Sequence, residues 1–404
     1  MASQPQKIVI ITISFLPSIG GLQNHIKLIA NFAIQLGHEV IIVTTTPNKS
    51  MVIDTERPLI QNGNATIYQL QPWKWIHDSP LINPTTLYQL LKKINPDIIH
   101  VVKPFPVSLD VGVIYALRSK KRVVCTVINE VILGEGTFMT GVLQRLFQVY
   151  RMVSWTIWGR LIKKFSFSSL QYFRSFMSIG KYVNELIIIP PFFLPNNSHP
   201  LSKKEKNRKK EELGYSPEVF LAAFIGGLRK RLSYKRLDIV LGAWRKFYRR
   251  HPKAHLVVVG EGPMRTFYED LSELMGIGSS VQFLGYLPRI KYQDVLKAVD
   301  CLILPSENNN EGFGIVIAEA MQMGALPIIS NLPGPRGVVN MGGRETAPGV
   351  RFCQPRDIKT LEQNIWEIYT LKNRDVLAIQ NFEYLRERFS RSEVFSSVKR
   401  LYAE

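Results

Sequence analysis

The 404-residue chain is short of three things, and each shortage removes a class of explanation. Cysteine is the first: Cys125, Cys301 and Cys353 are the only three. They stand far apart with no CxxC pair, which argues against a disulfide framework or a thiolate metal site and fits a reducing compartment. Long apolar runs are the second. No stretch approaches the ~18–20 residues that cross a bilayer, and the opening "MASQPQKIVIITISFLPSIGG" lacks the charged n-region and h-region of a signal peptide. Acids are the third. Asp and Glu number 32 against 51 Lys and Arg, a net charge of +19. Such a balance fits an anionic partner: a phosphorylated substrate, an acidic membrane surface or nucleic acid.

What is present reads as a globular chain with a sizeable core, since 46% of residues are hydrophobic. At ~100–200 residues per domain the length implies two or three domains. "KIVIITI" (Lys7 to Ile13) reads as a buried strand, followed by the loop "LPSIGG" and a helix with Ile26, Ile29, Phe32, Ala33 and Leu36 on one face and Gly37 as its stop. "HEVIIVTTT", "TIYQL", "DIIHVVK" and "RVVCTVI" continue the strand series. "FLAAFIGG", "HLVVVG", "VQFLGYL", "DCLILPS" and "ALPIIS" repeat the style further on. Buried β-branched strands alternating with helices predict an α/β protein with two doubly wound parallel sheets. Between the halves, "IIIPPFFLPNNSHPLSKKEKNRKKEEL" reads as a linker whose charge run forms a solvated helix. The boundaries fall at residues 1–200, 201–385 and 386–404, the last a helix able to pack back on the first half. Two such domains facing each other leave a cleft at the carboxyl ends of their strands, where open α/β sheets bind ligands.

The chemistry concentrates in "ENNNEGFGIVIAEAMQMGALPIIS" (Glu307 to Ser330). Glu319 lies in an otherwise apolar helix that starts near Ile315 and stops at Gly324. A buried carboxylate without a partner costs several kcal/mol, so either the protein or a ligand supplies one. Gly312 and Gly314 at the start of that helix let backbone N–H groups approach an anion. Glu311 precedes them.

This stretch resembles the acid, seven residues, acid signature of retaining GT-B glycosyltransferases, especially family 4 (glycosyl transferases group 1). Other segments resemble that family in the same order: "SFLPSIGGLQNHIKLIANFAIQLGHEVIIVT", "FIGGLRKRLSYKRLDIVLGAW", "VVVGEGP" and "VQFLGYLP". The resemblance implies an amino-terminal acceptor-binding domain, a carboxy-terminal nucleotide-sugar-binding domain and transfer of a sugar from a nucleotide diphosphate sugar to a hydroxyl with the anomeric configuration kept. Lys235 matches the family's phosphate-binding lysine. Arg229 stands as the second cation, with Lys230 or Arg231 as alternates. Glu311 would bind sugar hydroxyls and Glu319 the ribose, the ligand then being the partner of the buried acid. Gly21, Gly312, Phe313, Gly314 and Ile315 would offer backbone N–H groups to the donor.

The sequence has no Asp-x-Asp and no His/Asp cluster with ligand spacing. No metal and no other cofactor is expected, and cations with helix dipoles would stabilise the leaving phosphate. It also departs from the family. Where relatives often carry a histidine, Ile128 and Asn129 stand, followed by Glu130; Asn129, Glu130 and His25 are the acceptor-side candidates, with His100 a further one. Gly337 occupies a position where an acid is common, and Asn308, Asn309 and Asn310 lengthen the loop before Glu311.

One segment points to a membrane. "GVLQRLFQVYRMVSWTIWGRLIKKF" (Gly141 to Phe165) holds Arg145, Arg151, Arg160, Lys163 and Lys164 and no acid. At 100° per residue Val142, Leu143, Leu146, Phe147, Tyr150, Val153, Ile157 and Leu161 share a face, and Trp155 and Trp158 complete the composition of an interfacial helix. The expectation is a cytoplasmic enzyme, peripheral on the inner face of an anionic membrane, acting on a lipid, lipid-linked or polysaccharide acceptor. An epimerase-like enzyme of the same fold and a non-enzymatic nucleotide or nucleic-acid binder are the alternatives. No nucleic-acid recognition motif is present.

Overall fold

The computed structural model describes residues 4–15, 20–45, 59–61, 65–76, 79–102, 108–128, 138–176, 183–341, 343 and 345–404. The chain forms two compact units. Unit 1 comprises Met1–Pro191 and Arg391–Glu404, and unit 2 comprises Phe192–Ser390.

Unit 1 is built on β1 (Lys7–Ile11), β2 (Glu39–Thr45), β3 (Leu59–Gln61), β4 (Ala65–Leu70), β7 (Ile98–Val102), β8 (Arg122–Val127), β9 (Lys164–Phe167) and β10 (Glu185–Ile188), with a two-stranded hairpin of β5 (Pro72–Ile76) and β6 (Ser79–Ile82) beside them. The sheet order is β10-β9-β8-β7-β1-β2-β4-β3, parallel except for β3 against β4. β1 sits between β2 and β7, with Ile8 opposite Val40 on one side and Ile98 on the other. Its residues Ile8 to Ile11 are fully buried, as both-face coverage by helices requires of a central parallel strand.

Unit 2 carries β11 (Leu221–Ile225), β12 (His255–Val259), β13 (Val281–Gly285), β14 (Cys301–Leu304), β15 (Leu326–Ser330) and β16 (Arg351–Cys353). The six-stranded sheet runs β13-β12-β11-β14-β15-β16, all parallel. Strand order reverses between β11 and β14, which makes their carboxyl ends the topological switch point where doubly wound sheets take ligands. Helices pack on both faces, one around Trp244 and Phe247 and the other around Ile317, Met321 and Phe389.

Three expectations need correction. The charge run does fold into a helix, Lys203–Glu212, opened by a Ser202/Glu205 capping box, but it is not fully solvated. Lys206 and Lys210, one turn apart, are buried: Lys210 Nζ donates to Asp300 Oδ2 at 2.8 Å, and Lys206 Nζ to the Val299 and Gly324 carbonyls at 2.9 and 2.8 Å. A buried ammonium needs such a shell, and composition alone does not show it. Second, the first two residues of the supposed linker, Ile187 and Ile188, complete a strand, β10, at the edge of the first sheet. Third, the terminal helix begins at Arg391, not at residue 386, and runs to Tyr402 in unit 1; a separate helix, Arg374–Arg388, precedes it in unit 2.

The last helix is fastened to the unit 1 sheet by polar contacts. Arg122 donates to the Ala403 and Tyr402 carbonyls at 2.7 and 2.8 Å, and Lys164 Nζ to those of Arg400 and Ala403, both at 2.8 Å. Together these cations cap carbonyls that a helix end leaves unpaired.

Candidate functional site

The candidate site assembles where β11 and β14 end. After β11 the chain makes a tight glycine turn, Gly226–Gly227, which is tied to the turn after β12. Gly226 N–H donates to the Val259 carbonyl at 2.9 Å and Leu228 N–H to that of Glu261 at 3.1 Å. A short 3-10 helix, Lys230–Lys235, follows and brings the Lys235 side chain back over the turn. A Cβ added at Gly226 would lie 2.7 Å from Lys235 Cδ, so glycine there keeps the path of the lysine open.

From the β14 side, Ser306 and the loop Glu307–Glu311 lead into the helix Ile315–Gln322. Gly314 opens that helix at φ +84°, a left-handed conformation that suits glycine. Gly312 and the Phe313 and Gly314 backbone are buried at this helix start. The Phe313 ring turns into the core, edge-on to Phe389, which leaves only its main chain for a ligand. A second close approach supports the loop: a Cβ on Gly334 would come 1.7 Å from the Glu311 carbonyl oxygen.

Lys235 and Glu311 meet. Lys235 Nζ donates to Glu311 Oε2 at 2.6 Å, the Ser306 hydroxyl reaches the same oxygen at 3.3 Å, and the two side chains are only 14% and 10% exposed. Charge-assisted contacts of this length in a shielded site are strong. Among the described residues Glu311 Oε1 has no protein donor, and that oxygen can accept from a hydroxyl.

Glu319 is paired as well, which corrects the expectation that a ligand alone is its partner. The Tyr292 hydroxyl donates to Oε2 at 2.6 Å and Arg289 to Oε1 at 3.0 Å. Both donors come from the helix Arg289–Ala298, one turn apart. Burial and then the Glu319 carboxylate hold the Tyr292 phenol well above its ordinary value, so it stays a donor at neutral pH. A carboxylate accepts about four hydrogen bonds, and Glu319 retains capacity for a diol.

The remaining candidates make no contact with the Lys235–Glu311 pair among the described residues. Arg229 is exposed and its side chain makes no hydrogen bond or ion pair among the described residues, leaving its charge uncommitted. Lys230 is likewise exposed. Gly21 is the first residue of the helix Gly21–Gln35 in unit 1. His25, on that helix, is fully buried, and among the described residues neither ring nitrogen has a hydrogen bond of ordinary geometry. Burial pushes its imidazole down to about 4, the nearby Ile189 backbone offsetting part of the effect. His100 is buried on β7, 2.8 Å from the Tyr402 hydroxyl and 2.7 Å from that of Thr126. Burial first, then neighbouring His25, pushes it down to about 3. Asn129, Glu130 and the Arg231 side chain lie outside the described residues. Among the described residues no three His, Cys, Asp or Glu side chains gather as metal ligands.

Sequence reasoning missed Arg236, Glu307, Arg356, Ser306, Arg289 and Tyr292. Two of them carried a signal: Arg236 adjoins Lys235, and Glu307 precedes Glu311 by four residues. Nothing in the sequence links Tyr292 to Glu319 across 27 positions.

The acid-free segment forms the helix Phe138–Trp158 and a short 3-10 turn, Gly159–Leu161. Tyr150, Ser154 and Trp158 on the inner side all donate to Asp110. Val142, Leu146, Val149, Met152, Val153, Ile157 and Leu161 are exposed, Met152 at 61% and Leu146 at 60%. Arg145, Arg160 and Lys163 are exposed beside them. The Leu143, Phe147 and Trp155 side chains lie outside the described residues. No helix is long and apolar enough to cross a membrane, among the described residues.

The chain matches two family models, "Glycosyltransferase Family 4" over residues 19–168 and "Glycosyl transferases group 1" over residues 204–382. An uncharacterized glycosyltransferase of Methanocaldococcus jannaschii is 33% identical over 135 residues, 33% of each chain. The match with the first curated relatives spans about a third of their length. A GDP-mannose-dependent monoacylated α-(1-6)-phosphatidylinositol monomannoside mannosyltransferase of Corynebacterium glutamicum is 22% identical over 343 residues, 82% of each chain. Among solved structures, Anabaena HepE in complex with UDP-glucose superposes with a TM-score of 0.69 at 16% identity, covering 98% of both chains. WaaG, a glycosyltransferase involved in lipopolysaccharide biosynthesis, gives 0.67 at 17% identity over 98% of this chain and 100% of its own. At such identities the superpositions speak for the fold, and the two family models, one on each unit, speak for kinship: this chain belongs to the group 1, family 4 glycosyltransferases of GT-B fold.

Proposed function

We propose that the protein transfers a sugar from a nucleotide diphosphate sugar to an acceptor hydroxyl with retention of anomeric configuration. The observation that carries this reading is the Lys235–Glu311 contact at the switch point, with Glu319 further along the same glycine-opened helix. In the reaction the bond from the anomeric carbon to the donor phosphate breaks as the bond to the acceptor oxygen forms on the same face. The departing phosphate oxygen takes the acceptor proton. Negative charge grows on that phosphate, and a fixed cation in a shielded site stabilises it. Lys235 serves as that cation, Arg229 adds a second positive charge, and the Gly312–Ile315 backbone offers N–H groups. Glu311 Oε1 accepts from a sugar hydroxyl, and Glu319 from the ribose. These groups account for leaving-group stabilisation without a metal ion.

The acceptor is a lipid, lipid-linked saccharide or polysaccharide precursor, and the enzyme works as a peripheral protein on an anionic membrane. The exposed apolar stripe Val142–Leu161, flanked by Arg145, Arg160 and Lys163, supports this. An amphipathic basic helix binds such a surface by apolar burial plus attraction to anionic lipid.

A panel of UDP-, GDP- and ADP-sugars tests the donor. One sugar nucleotide should raise the melting temperature and be slowly hydrolysed, and Lys235→Ala and Glu319→Ala should lose both effects. If no sugar nucleotide binds, even with anionic vesicles present, the reading is wrong and salt-sensitive polynucleotide binding becomes the leading explanation of the basic surface.

A further inference from the structure

The loop that presents Glu311 is gripped at its other end by a residue that the donor contacts leave unused. Glu307 accepts from Arg236 NH1 at 2.6 Å through one carboxylate oxygen and from Arg356 through the other. Arg236 is itself fixed from behind by Asp238, with Nε 2.9 Å from Oδ1 and NH2 2.6 Å from Oδ2. The Glu307 backbone N–H donates to the Tyr234 carbonyl at 2.7 Å. The loop is thereby stitched to the segment that carries Lys235.

The backbone at both arginines is unusual. Among described residues other than glycine, only Asn95, Lys120, Arg236 and Arg356 have positive φ, and the two arginines stand at +59° and +64°. A left-handed backbone is unfavourable for a residue with a Cβ, and such conformations persist where surrounding contacts over-determine them. At Arg236 the consequence is visible: consecutive side chains part, Lys235 to Glu311 and Arg236 to Glu307. Burial alone would raise the Glu307 carboxyl, but hydrogen bonds from Arg356 and Arg236 outweigh it and hold the group below its ordinary value.

We propose that Glu307, held between Arg236 and Arg356, is a positioning residue that fixes the Glu307–Glu311 loop so that the Glu311 carboxylate meets the Lys235 ammonium. Three asparagines, Asn308 to Asn310, separate the two acids, and Glu311 N–H closes back on the Asn308 carbonyl at 3.2 Å. A loop of this composition has little apolar packing to hold it, so its geometry depends on its ends. The catalytic consequence rests on the donor reading given above; the mechanical part does not.

The test uses the full chain and two variants, Glu307→Gln and Arg356→Gln, with amide hydrogen exchange and kinetics side by side. In Glu307→Gln, exchange at residues 308–312 should accelerate at least tenfold while β11 and β12 stay as in the wild type. Hydrolysis of UDP-glucose or GDP-mannose, whichever the wild type turns over, should lose about tenfold in kcat with the Kd for the free nucleotide within twofold. Arg356→Gln should move both readouts in the same direction by less, because Arg236 remains. Unchanged exchange at 308–312 would overturn the proposal. So would a loss of turnover that merely follows a fall in melting temperature and nucleotide affinity, since that marks general support only. If the wild type binds no sugar nucleotide, the donor reading fails on its own, and the exchange comparison still decides the role of Glu307.

Discussion

Lys235 Nζ lies 2.6 Å from Glu311 Oε2, so the principal cation of the site carries a counter-ion before any substrate arrives. The pair keeps two shielded charges from standing alone. On the function proposed above, a diphosphate entering the site would share or take over the ammonium, leaving Glu311 with less of it as phosphate charge accumulates.

Lys235→Ala should lower kcat by about 10²–10³-fold, the usual cost of deleting one donor to developing negative charge. It strands Glu311 as well, so stability should drop by about 3 kcal/mol, in the range for breaking a buried pair. Lys235→Ala combined with Glu311→Gln should recover most of the stability and none of the rate. Thermal unfolding and steady-state hydrolysis of the stabilising sugar nucleotide measure the two effects separately.

Tyr292→Phe removes one hydrogen bond from Glu319 and leaves Arg289 in place. Stability should fall by about 1–2 kcal/mol, typical of a hydrogen bond to a charged acceptor. Nucleotide affinity should weaken several-fold by calorimetry as the carboxylate gains freedom, with kcat at saturation little changed. A large loss of kcat at unchanged affinity would contradict the assignment of Glu319 to the ribose.

Acid should weaken unit 1. His25 and His100 are buried, with imidazoles pushed down to about 4 and about 3, against about 6.5 in the unfolded chain. The unfolded state therefore binds more protons over that window, and stability falls as pH drops below about 6.5. At pH 5 each histidine should have removed about 2 kcal/mol relative to pH 7. Denaturant titrations across pH 5–7.5 should show the slope, and His25→Leu, which replaces an imidazole without a hydrogen bond of ordinary geometry among the described residues, should flatten it.

Leu146→Glu with Met152→Glu places two acids on the exposed stripe. Both positions are more than half exposed, so folding should be unaffected. Co-sedimentation with vesicles containing phosphatidylglycerol should be lost, while hydrolysis of the sugar nucleotide in solution should persist. Retained binding would remove this helix from the membrane reading.

Much of the fold was legible because buried parallel strands are written as continuous β-branched runs. "HEVIIVTTT" and "HLVVVG" became β2 and β12 within two residues at either end. β10 was not legible: "ELII" runs straight into a proline-rich stretch, and local composition reads as a linker although the strand pairs with β9. Glu311 and Glu319 stood out because glycines and apolar neighbours make a charge conspicuous, and Lys235 through the family resemblance alone. Tyr292, Arg289 and Arg356 did not, because an exposed arginine and a helical tyrosine look ordinary until the chain folds them onto an acid. The same limit hid the burial of Lys206 and Lys210, whose partner Asp300 is 90 residues distant from Lys210.

The polar clasp on the final helix sets an order of events during synthesis. Unit 2 is one continuous stretch, residues 192–390, whereas unit 1 needs residues 391–404 to complete it. Tyr402 and Ala403, the groups held by Arg122, and the carbonyls held by Lys164 are made after the whole of unit 2. Domains ordinarily fold as they emerge, the amino-terminal one first. Here the first sheet lacks Tyr402, the partner of His100, until the second unit has been translated in full, and a ribosome stalled anywhere before residue 402 holds a nascent chain whose earliest-made half is the incomplete one.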